Sequence, residues 1–225
     1  MISIAFKLNK HLFIKDPQQS ELGQKIISHS VALIDQLGFE HFTFKKLAAA
    51  VGSTEASIYR YFENKHRLLL YLISWYWSWI EYHIDMATSG NQAPDEKIRA
   101  CIRIISSEKK FDPAFNFVDE AALSRIVIAE LDKTYLTKWV DKDNQEGLFG
   151  GFKSLCRKIT AMVIAVDSTY PYPQSLVSTL LLTAKQQVFF SQHLPSLTSM
   201  ANNAQCTENL YLFLENLVFK TLNTK

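Results

Sequence analysis

Basic side chains follow directly on residues that can begin helices, and their chemistry suits a phosphate anion. The two clusters are Lys45 and Lys46 after Thr43, and Lys65, His66 and Arg67 after Asn64. Thr and Asn are favoured helix N-cap residues, and the first turn of a helix carries partial positive charge that favours acids over cations. A bound phosphate reverses this penalty, because free N–H groups and cations then act together. The pattern predicts contacts to a phosphate backbone.

A third basic position lies between the two clusters. Arg60 is flanked by Tyr59 and Tyr61, whose hydroxyl groups can donate to phosphates. The formal net charge is +3 over residues 1–68 and −1 over residues 69–225. This asymmetry favours an anionic partner for the N-terminal third. The alternative interpretation is that these are surface lysines that lie near helix starts by chance.

Four short helices must position these residues. Helical periodicity predicts a first helix from Ser20 to Gly38 and a second from Thr43 to Gly52. Thr54 is the predicted N-cap of a third, very short helix, and a fourth begins at Lys65 and extends to about Met86. The second and third helices are separated by about three residues, which is the spacing of a helix-turn-helix motif.

The rest of the chain also has helical periodicity, so the predicted fold class is all-α. Only 7 Gly and 6 Pro among 225 residues argue against a β protein, which needs many turns. A polar linker is predicted at Ser89–Pro94, and the helices predicted after it are Asp95–Glu108, Phe117–Val140, Gln145–Asp167, Gln174–His193 and Thr207–Leu222. These helices predict a larger C-terminal bundle.

The first 17 residues show a different pattern. Ile2, Ile4, Phe6 and Leu8 alternate with other residues, which allows a short N-terminal hairpin that ends at Asp16-Pro17. A disordered arm is the equally weighted alternative.

Several function classes are disfavoured. Three widely spaced cysteines give neither a disulfide framework nor a metal site, and they suit a reducing cytoplasm. The longest apolar stretch, residues 68–80, is too short to span a bilayer, and we expect no membrane partner. No catalytic motif is found, so we expect no enzyme, catalytic residue, metal or cofactor; a Cys101 or Cys156 nucleophile with a distant His is the remaining enzyme hypothesis.

The stretch from Phe42 to Leu69 resembles the DNA-binding domain of tetracycline-repressor (TetR) family regulators. It has the family's Thr at the start of the second helix, here Thr43, and a Val-Gly turn at residues 51–52. The Tyr-x-Tyr-Phe pattern follows at residues 59–62, and then a polar residue and Lys65. The resemblance covers Leu22 to Ile73, and it implies that residues 20–68 bind DNA and that residues 69–225 sense a ligand and dimerise.

The resemblance also implies roles for single residues. Residues 54–60 form the recognition helix for the major groove, and the DNA-binding set comprises Thr43, Lys45, Lys46, Thr54, Glu55, Ala56, Ser57, Tyr59, Arg60, Tyr61 and Lys65. Thr43 and Lys65 are expected to contact phosphates. Glu55 departs from the family, where this position is often basic. A carboxylate there can accept a hydrogen bond from a cytosine amino group, and Ala56 can approach a thymine methyl group.

The C-terminal helices carry apolar residues that could serve two purposes. Gln174–His193 and Thr207–Leu222 could form a four-helix interface between two subunits, or a core within one chain. Aromatic and neighbouring residues at helical spacing are more typical of a core, but they are also the candidates for an effector site: Trp79, Tyr82, His83, Met86, Tyr135, Trp139 and Phe189.

The function predicted from these observations is sequence-specific binding of double-stranded DNA by a homodimeric transcriptional regulator in the cytoplasm. The expected regulator is a repressor that reads a pseudo-palindromic operator and is released by an unknown small-molecule effector. The alternatives are a helix-turn-helix protein that acts mainly through protein partners and, less favoured, an enzyme.

Overall fold

A computed structural model describes residues 5–115, 117–200, 203 and 205–222 of the chain. Within these residues it contains α-helices and short 3-10 turns but no strands. The helices are α1 Glu21–Leu37, α2 Phe44–Val51, α3 Glu55–Tyr59, α4 Lys65–Thr88, α5 Pro94–Ser106, α6 Glu120–Glu130, α7 Asp132–Tyr135, α8 Val140–Gln145, α9 Gly150–Val166, α10 Pro173–His193 and α11 Cys206–Thr221. The predicted all-α class is confirmed. None of the described helices is long and apolar enough to cross a membrane.

Local capping signals locate the first helices where the sequence predicts them. The Ser20 hydroxyl accepts a hydrogen bond from the Gly23 N–H and begins α1, and Thr43 does the same for Lys46 at the start of α2. Gly38 follows α1 and Gly52 follows α2, both with positive φ. Side-chain oxygens satisfy the free N–H groups of a first helical turn, and glycine adopts positive φ at low cost. These short-range interactions explain why the predicted boundaries hold.

Two longer predicted helices are wrong in their extent. The predicted helix over residues 117–140 is divided into α6, α7 and the start of α8, because Asp119 caps α6 and Leu136 leaves helical geometry at ψ 54°. The helix predicted from Gln145 begins only at Gly150. Gly147 adopts φ 76° between α8 and α9, and this left-handed residue ends α8.

The chain divides into two compact units. The first comprises Met1–Trp77 and Lys109–Gly151, and the second comprises Ser78–Glu108 and Phe152–Lys225. The functional division predicted from the sequence, 20–68 and 69–225, stays a prediction, because packing alone assigns no function to a segment.

The N-terminal segment of the first unit contradicts the predicted hairpin over its described residues, 5–17. The Gln18 side chain bonds both the N–H and the carbonyl of Phe6, at 3.0 and 2.8 Å. The Phe6 ring lies 5.2 Å from the rings of Trp75 and Phe115. The alternating apolar residues therefore pack on the helical core instead of pairing with a strand, and this part of the arm is ordered. Ile2 and Ile4 lie outside the described residues.

Residues of α6 and α7 contact the end of α1 and the loop after it, all within the first unit. Arg125 forms two hydrogen bonds with the Asp35 carboxylate, at 2.9 and 2.7 Å. The Phe39 N–H donates to Glu130, which also pairs with Lys133 at 2.8 Å. The helix-turn-helix region is therefore part of a larger unit that includes residues 109–151.

The second unit contains α5, α9, α10 and α11 and the C-terminal part of α4. Arg99 and Arg103 of α5 pair with Glu215 and Glu208 of α11. Lys158 of α9 pairs with Glu81 of α4 at 2.9 Å. The same unit has an apolar core, to which α10 contributes the buried residues Leu176, Val177, Leu180 and Leu181.

Glu120 at the start of α6 is a fully buried carboxylate. Its side chain is 0% exposed, one oxygen accepts from the Asp112 N–H at 3.0 Å, and the other has no hydrogen-bond partner among the described residues. Burial raises the pKa of the Glu120 carboxyl to about 7, because the charged form loses its hydration.

We expect this raised pKa to make the folded state less stable as the pH rises from about 4.5 to 7. In this range the folded chain keeps a proton that the unfolded chain has released, so stability present below pH 4.5 is lost by pH 7. Glu120→Gln should therefore gain up to roughly 3 kcal/mol over the unsubstituted chain between pH 4.5 and 8. Urea denaturation at several pH values measures the difference, with the exposed Glu108→Gln as control. Parallel stability curves for the unsubstituted and Glu120→Gln chains would contradict the assignment.

Candidate nucleic-acid interface

The helix-turn-helix motif is formed by α2, α3 and a short turn between them. Gly52 takes the left-handed conformation at φ 68°, ψ 40° after α2. The Ser53 N–H then donates to the Ala48 carbonyl at 2.9 Å, and the Thr54 hydroxyl accepts from the Ser57 N–H at the start of α3. A side chain at position 52 would strain the backbone, which explains why glycine lies between the two helices.

One side of α2 and α3 forms the core and the other faces solvent. Phe44, Leu47 and Ile58 are buried. The exposed residues of the predicted DNA-binding set are Thr43, Lys45, Lys46, Thr54, Glu55, Ala56, Tyr59 and Arg60, and Ser57 is half-buried. The structure thus brings the predicted base-reading residues to one exposed surface on α3 and its ends.

The two tyrosines of the Tyr-x-Tyr-Phe pattern have different surroundings. The Tyr59 side chain is 49% exposed, and its ring contacts the Phe44 ring edge-on at 5.0 Å. Tyr61 is only 3% exposed, and its hydroxyl shares a 2.8 Å hydrogen bond with Ser20. Tyr61 therefore joins the start of α1 to the end of α3, and its predicted contact to the DNA backbone stays a prediction.

Lys65 lies at the first position of α4 and contacts the loop that precedes α2. Its ammonium group donates to the carbonyls of Phe39, Glu40 and Phe42, at 3.1, 3.3 and 3.4 Å. It also lies 4.7 Å from the centre of the Phe39 ring. An ammonium group has three N–H donors, so these carbonyls occupy all of them in this conformation.

The other basic residues at the start of α4 contact one acid of α8 and one that follows it directly. His66 lies 3.2 Å from the Asp143 carboxylate, and Arg67 donates to Glu146 at 2.6 Å. Asp143 is buried, and Arg67 also lies 3.6 Å from it. The Arg67 guanidinium holds the pKa of Glu146 below its ordinary value. These two acids compensate the positive charge of the first turn of α4, so the charge does not by itself indicate a bound phosphate.

No local pattern in the sequence indicates this cluster. Asp143 and Glu146 follow Arg67 by more than 70 residues, and they lie in and next to a short helix that the periodicity merges into longer ones. Lys46 has a similar main-chain partner, since its ammonium donates to the His41 carbonyl at 2.9 Å. Lys45 and Arg60 are exposed and form no ion pair among the residues that the structure describes.

The predicted effector-site residues are distributed over both units. Tyr135 and Trp139 belong to the first unit, where the Tyr135 hydroxyl donates to Asp132 and Trp139 is exposed. The others belong to the second unit: Trp79 is buried, Met86 is exposed, and Tyr82, His83 and Phe189 are half-buried. The Trp79 ring contacts His83, and the Phe189 ring contacts His193, each at 4.6 Å. A role in ligand binding stays a prediction for all seven.

The second unit contains a shallow cavity of about 610 Å³ between α4, α5 and α9, which is largely open to solvent. Its lining includes Glu81, Lys97, Arg157, Lys158 and Met162, and none of the predicted effector-site residues. The volume lies in the range of small-molecule sites. The effector-site candidates in the sequence are mostly aromatic residues at helical spacing. This cavity is lined largely by charged and small residues, which show no such pattern.

Comparison with known proteins supports the family resemblance. Residues 26–72 match the family model for bacterial regulatory proteins of the tetR family. No curated protein sequence matches the chain.

Solved structures share the fold over most of the chain at low sequence identity. The crystal structure of AibR in complex with isovaleryl coenzyme A and operator DNA is similar with a TM-score of 0.59 and 16% identity, over 88% of this chain and 98% of that one. The TetR family transcriptional regulator PfmR from Thermus thermophilus has a TM-score of 0.57 and 12% identity, over 86% and 97%. The fatty acid degradation regulator FadR from Bacillus halodurans has a TM-score of 0.56 and 16% identity, over 85% of this chain and 96% of that one.

The comparisons cover the chain at two levels. The low-identity structures establish the fold, and the sequence match covers the segment that forms the helix-turn-helix motif. Residues 26–72 of this chain are therefore similar to the N-terminal domain of the tetR family of bacterial regulatory proteins, and the longer chain shares the fold of these structures.

Proposed function

We propose that the chain is a homodimeric transcriptional repressor that binds a pseudo-palindromic operator in the cytoplasm and is released by a small molecule. The observation that carries the proposal is the exposed outer surface of α3 within a helix-turn-helix whose sequence matches the tetR family. In such motifs the second helix enters the major groove with its N-terminal residues against base edges.

The base-reading residues lie at the N-terminal end of α3. Thr54, Glu55 and Ala56 are exposed there, and Glu55 makes no ion pair among the described residues. A carboxylate accepts hydrogen bonds but repels phosphate, so its place on a DNA-facing surface favours a base contact, and cytosine offers the amino donor. Ala56 adds a small apolar surface that suits a thymine methyl group.

The phosphate contacts come from the edges of the same surface. Lys45 and Arg60 are exposed, and Thr43 lies at the start of α2, where N–H groups point outward. Lys46 keeps donors for a phosphate while one is used by the His41 carbonyl. These positions can fix the orientation of the motif on a duplex without reading its sequence.

The surface of α11 supports a homodimer. Most of the apolar residues predicted for the interface, such as Leu180 of α10 and Leu210 of α11, are buried within the chain. Leu212 and Phe213 on the outer side of α11 remain 51% and 38% exposed. Large apolar side chains that stay exposed on one helix are candidates for a protein interface, and a second copy of the chain would cover them.

The proposed effector acts through a difference in affinity. One structure with this fold contains both isovaleryl coenzyme A and operator DNA, and we extend that combination of a small molecule and DNA to this chain as a proposal. A ligand that binds better to the conformation with lower DNA affinity shifts the population towards it and releases the operator.

Selection from a random duplex pool tests the proposal. The purified chain should enrich an inverted repeat whose half-sites lie about one helical turn apart, and fluorescence anisotropy should then show tighter binding to it than to random duplex. A chain with native circular dichroism that enriches no sequence and binds no duplex at low salt would contradict the function.

Removing an exposed cation should weaken binding to all duplexes. In the proposed dimer, Lys45→Ala or Arg60→Ala each removes two phosphate contacts, so the slope of log K against log salt should fall in magnitude by about 2. The exposed Lys110→Ala, which lies outside the helix-turn-helix, has the same charge change and serves as the control. Anisotropy titrations at four salt concentrations measure the slopes; equal slopes for Lys45→Ala and the control would remove Lys45 from the interface.

Removing the carboxylate of Glu55 should change specificity. Glu55→Ala should weaken binding to the selected operator by at least about 30-fold, because each of the two base contacts in the dimer contributes about 1–3 kcal/mol, without weakening binding to random duplex. A repeated selection should show relaxed preference at one position in each half-site. Glu108→Ala is the control of equal charge. Equal losses on operator and random duplex would be incompatible with a base-reading role.

Two roles of Lys65 can be separated by experiment. The family resemblance gives it a phosphate contact, and the structure gives its ammonium three carbonyl partners. We expect Lys65→Ala to lower the free energy of unfolding by about 1–3 kcal/mol, because partly buried carbonyls lose their donor. If the slope of log K for duplex binding against log salt is also smaller in Lys65→Ala, the ammonium group contacts a phosphate as well. Unchanged urea denaturation would show that the carbonyl contacts do not stabilise the loop.

A further inference from the structure

We propose that the cavity between α4, α5 and α9 binds an amphipathic organic anion, with its anionic group at Lys97 and Arg157 and its apolar part along α9. This inference names the chemical class of the effector and so rests on the proposed function. It is argued from residues of the second unit alone.

The first step is the charge of the cavity. Its lining holds three cations, Lys97, Arg157 and Lys158, but only one carboxylate, Glu81. A cavity with more positive than negative side chains concentrates anions.

The second step is which of these charges are already compensated. Lys158 pairs with Glu81 at 2.9 Å and also contacts the Asp85 carboxylate, and the Ser154 hydroxyl donates to Glu81 at 3.0 Å. This network uses Lys158 and Glu81 to join α9 to α4. Among the residues that the structure describes, no carboxylate pairs with Lys97 or Arg157. These two side chains therefore carry the positive charge that is available to a ligand.

The third step is the apolar part of the lining. Ala161, Met162 and Ala165 lie on α9 beyond Arg157, and Ala161 is exposed. The Met162 sulfur lies 3.5 Å from the sulfur of the buried Cys101, and Met162 is also one of the residues that line the cavity. Small residues keep the cavity open, and methionine adapts to varied apolar shapes.

These features together select the ligand class. A fully polar anion would leave the α9 surface uncovered, and a neutral apolar molecule would cover Lys97 and Arg157 without an opposite charge. An organic anion with an apolar body satisfies both parts of a cavity of about 610 Å³.

A matched pair of fluorescent probes tests the inference without DNA. The anion 8-anilinonaphthalene-1-sulfonate and the neutral N-phenyl-1-naphthylamine share the same aromatic body and differ in the sulfonate group. We expect the double variant Lys97→Gln/Arg157→Gln to weaken binding of the sulfonate by at least about tenfold, and of the neutral probe by less than about twofold. Ala161→Trp should weaken both probes by filling the apolar part. Lys110→Gln should change neither.

Displacement from the unsubstituted chain gives a second measurement. Decanoate should displace the bound sulfonate probe at concentrations where decanol does not, because only decanoate carries the charge. The inference is overturned if the double variant binds the sulfonate as well as the unsubstituted chain, if Ala161→Trp leaves both probes bound, or if decanol displaces as well as decanoate. If the unsubstituted chain binds its operator but does not prefer the anionic probe to the neutral one, only the ligand class is refuted. If it prefers the anionic probe but binds no duplex, only the proposed function is refuted.

Discussion

The structure of the first unit depends on how the positive charge at the start of α4 is compensated. Three basic residues occupy a helical turn that favours acids. Their compensation comes from within the chain: three carbonyls of the loop before α2 accept from Lys65, and Asp143 and Glu146 pair with His66 and Arg67. Because Asp143 is buried, removing both of its basic partners, His66 and Arg67, would leave an unpaired buried charge, which costs more than a surface ion pair contributes.

This compensation also connects the helix-turn-helix to the rest of the first unit. The carbonyls that accept from Lys65 belong to the loop that precedes Thr43, so the same contact holds this loop next to the start of α2. On the other side of the loop, Arg125 holds Asp35 at the end of α1. The short helices α2 and α3 are too small to form a core alone. They pack against each other and α2 packs against α1, which in turn contacts α6, and residues 109–151 belong to the same compact unit.

The sequence predicts the parts of this arrangement that rest on local interactions. Capping residues such as Thr43 and Gly52 bond to backbone groups only a few residues away. The ends of α1, α2 and α3 are set by such local bonds, and their predicted positions are confirmed. The contacts of Arg67 with α8 and the residue after it join positions that are far apart in the chain, and no periodicity reports them. The alternation at Phe6 and Leu8 is ambiguous for a related reason: apolar residues at every second position suit a strand, but they also suit a segment that packs on a helical core. The residues that line the cavity next to α9 include no aromatic side chain, so a search for aromatic spacing does not find them.

The pairing at α4 leaves fewer uncompensated cations on the helix-turn-helix than the sequence indicates. Once Lys65, His66 and Arg67 have partners within the chain, the exposed basic residues of the helix-turn-helix are Lys45, Lys46 and Arg60, and Glu55 opposes them. Each phosphate contact adds affinity that salt removes, whereas base contacts discriminate between sequences. Under the proposed function, a motif with few cations and an acid on its recognition helix would bind random DNA weakly, and base contacts would supply a larger share of its affinity for the operator. The charge distribution thus favours a regulator that is selective at the expense of non-specific affinity.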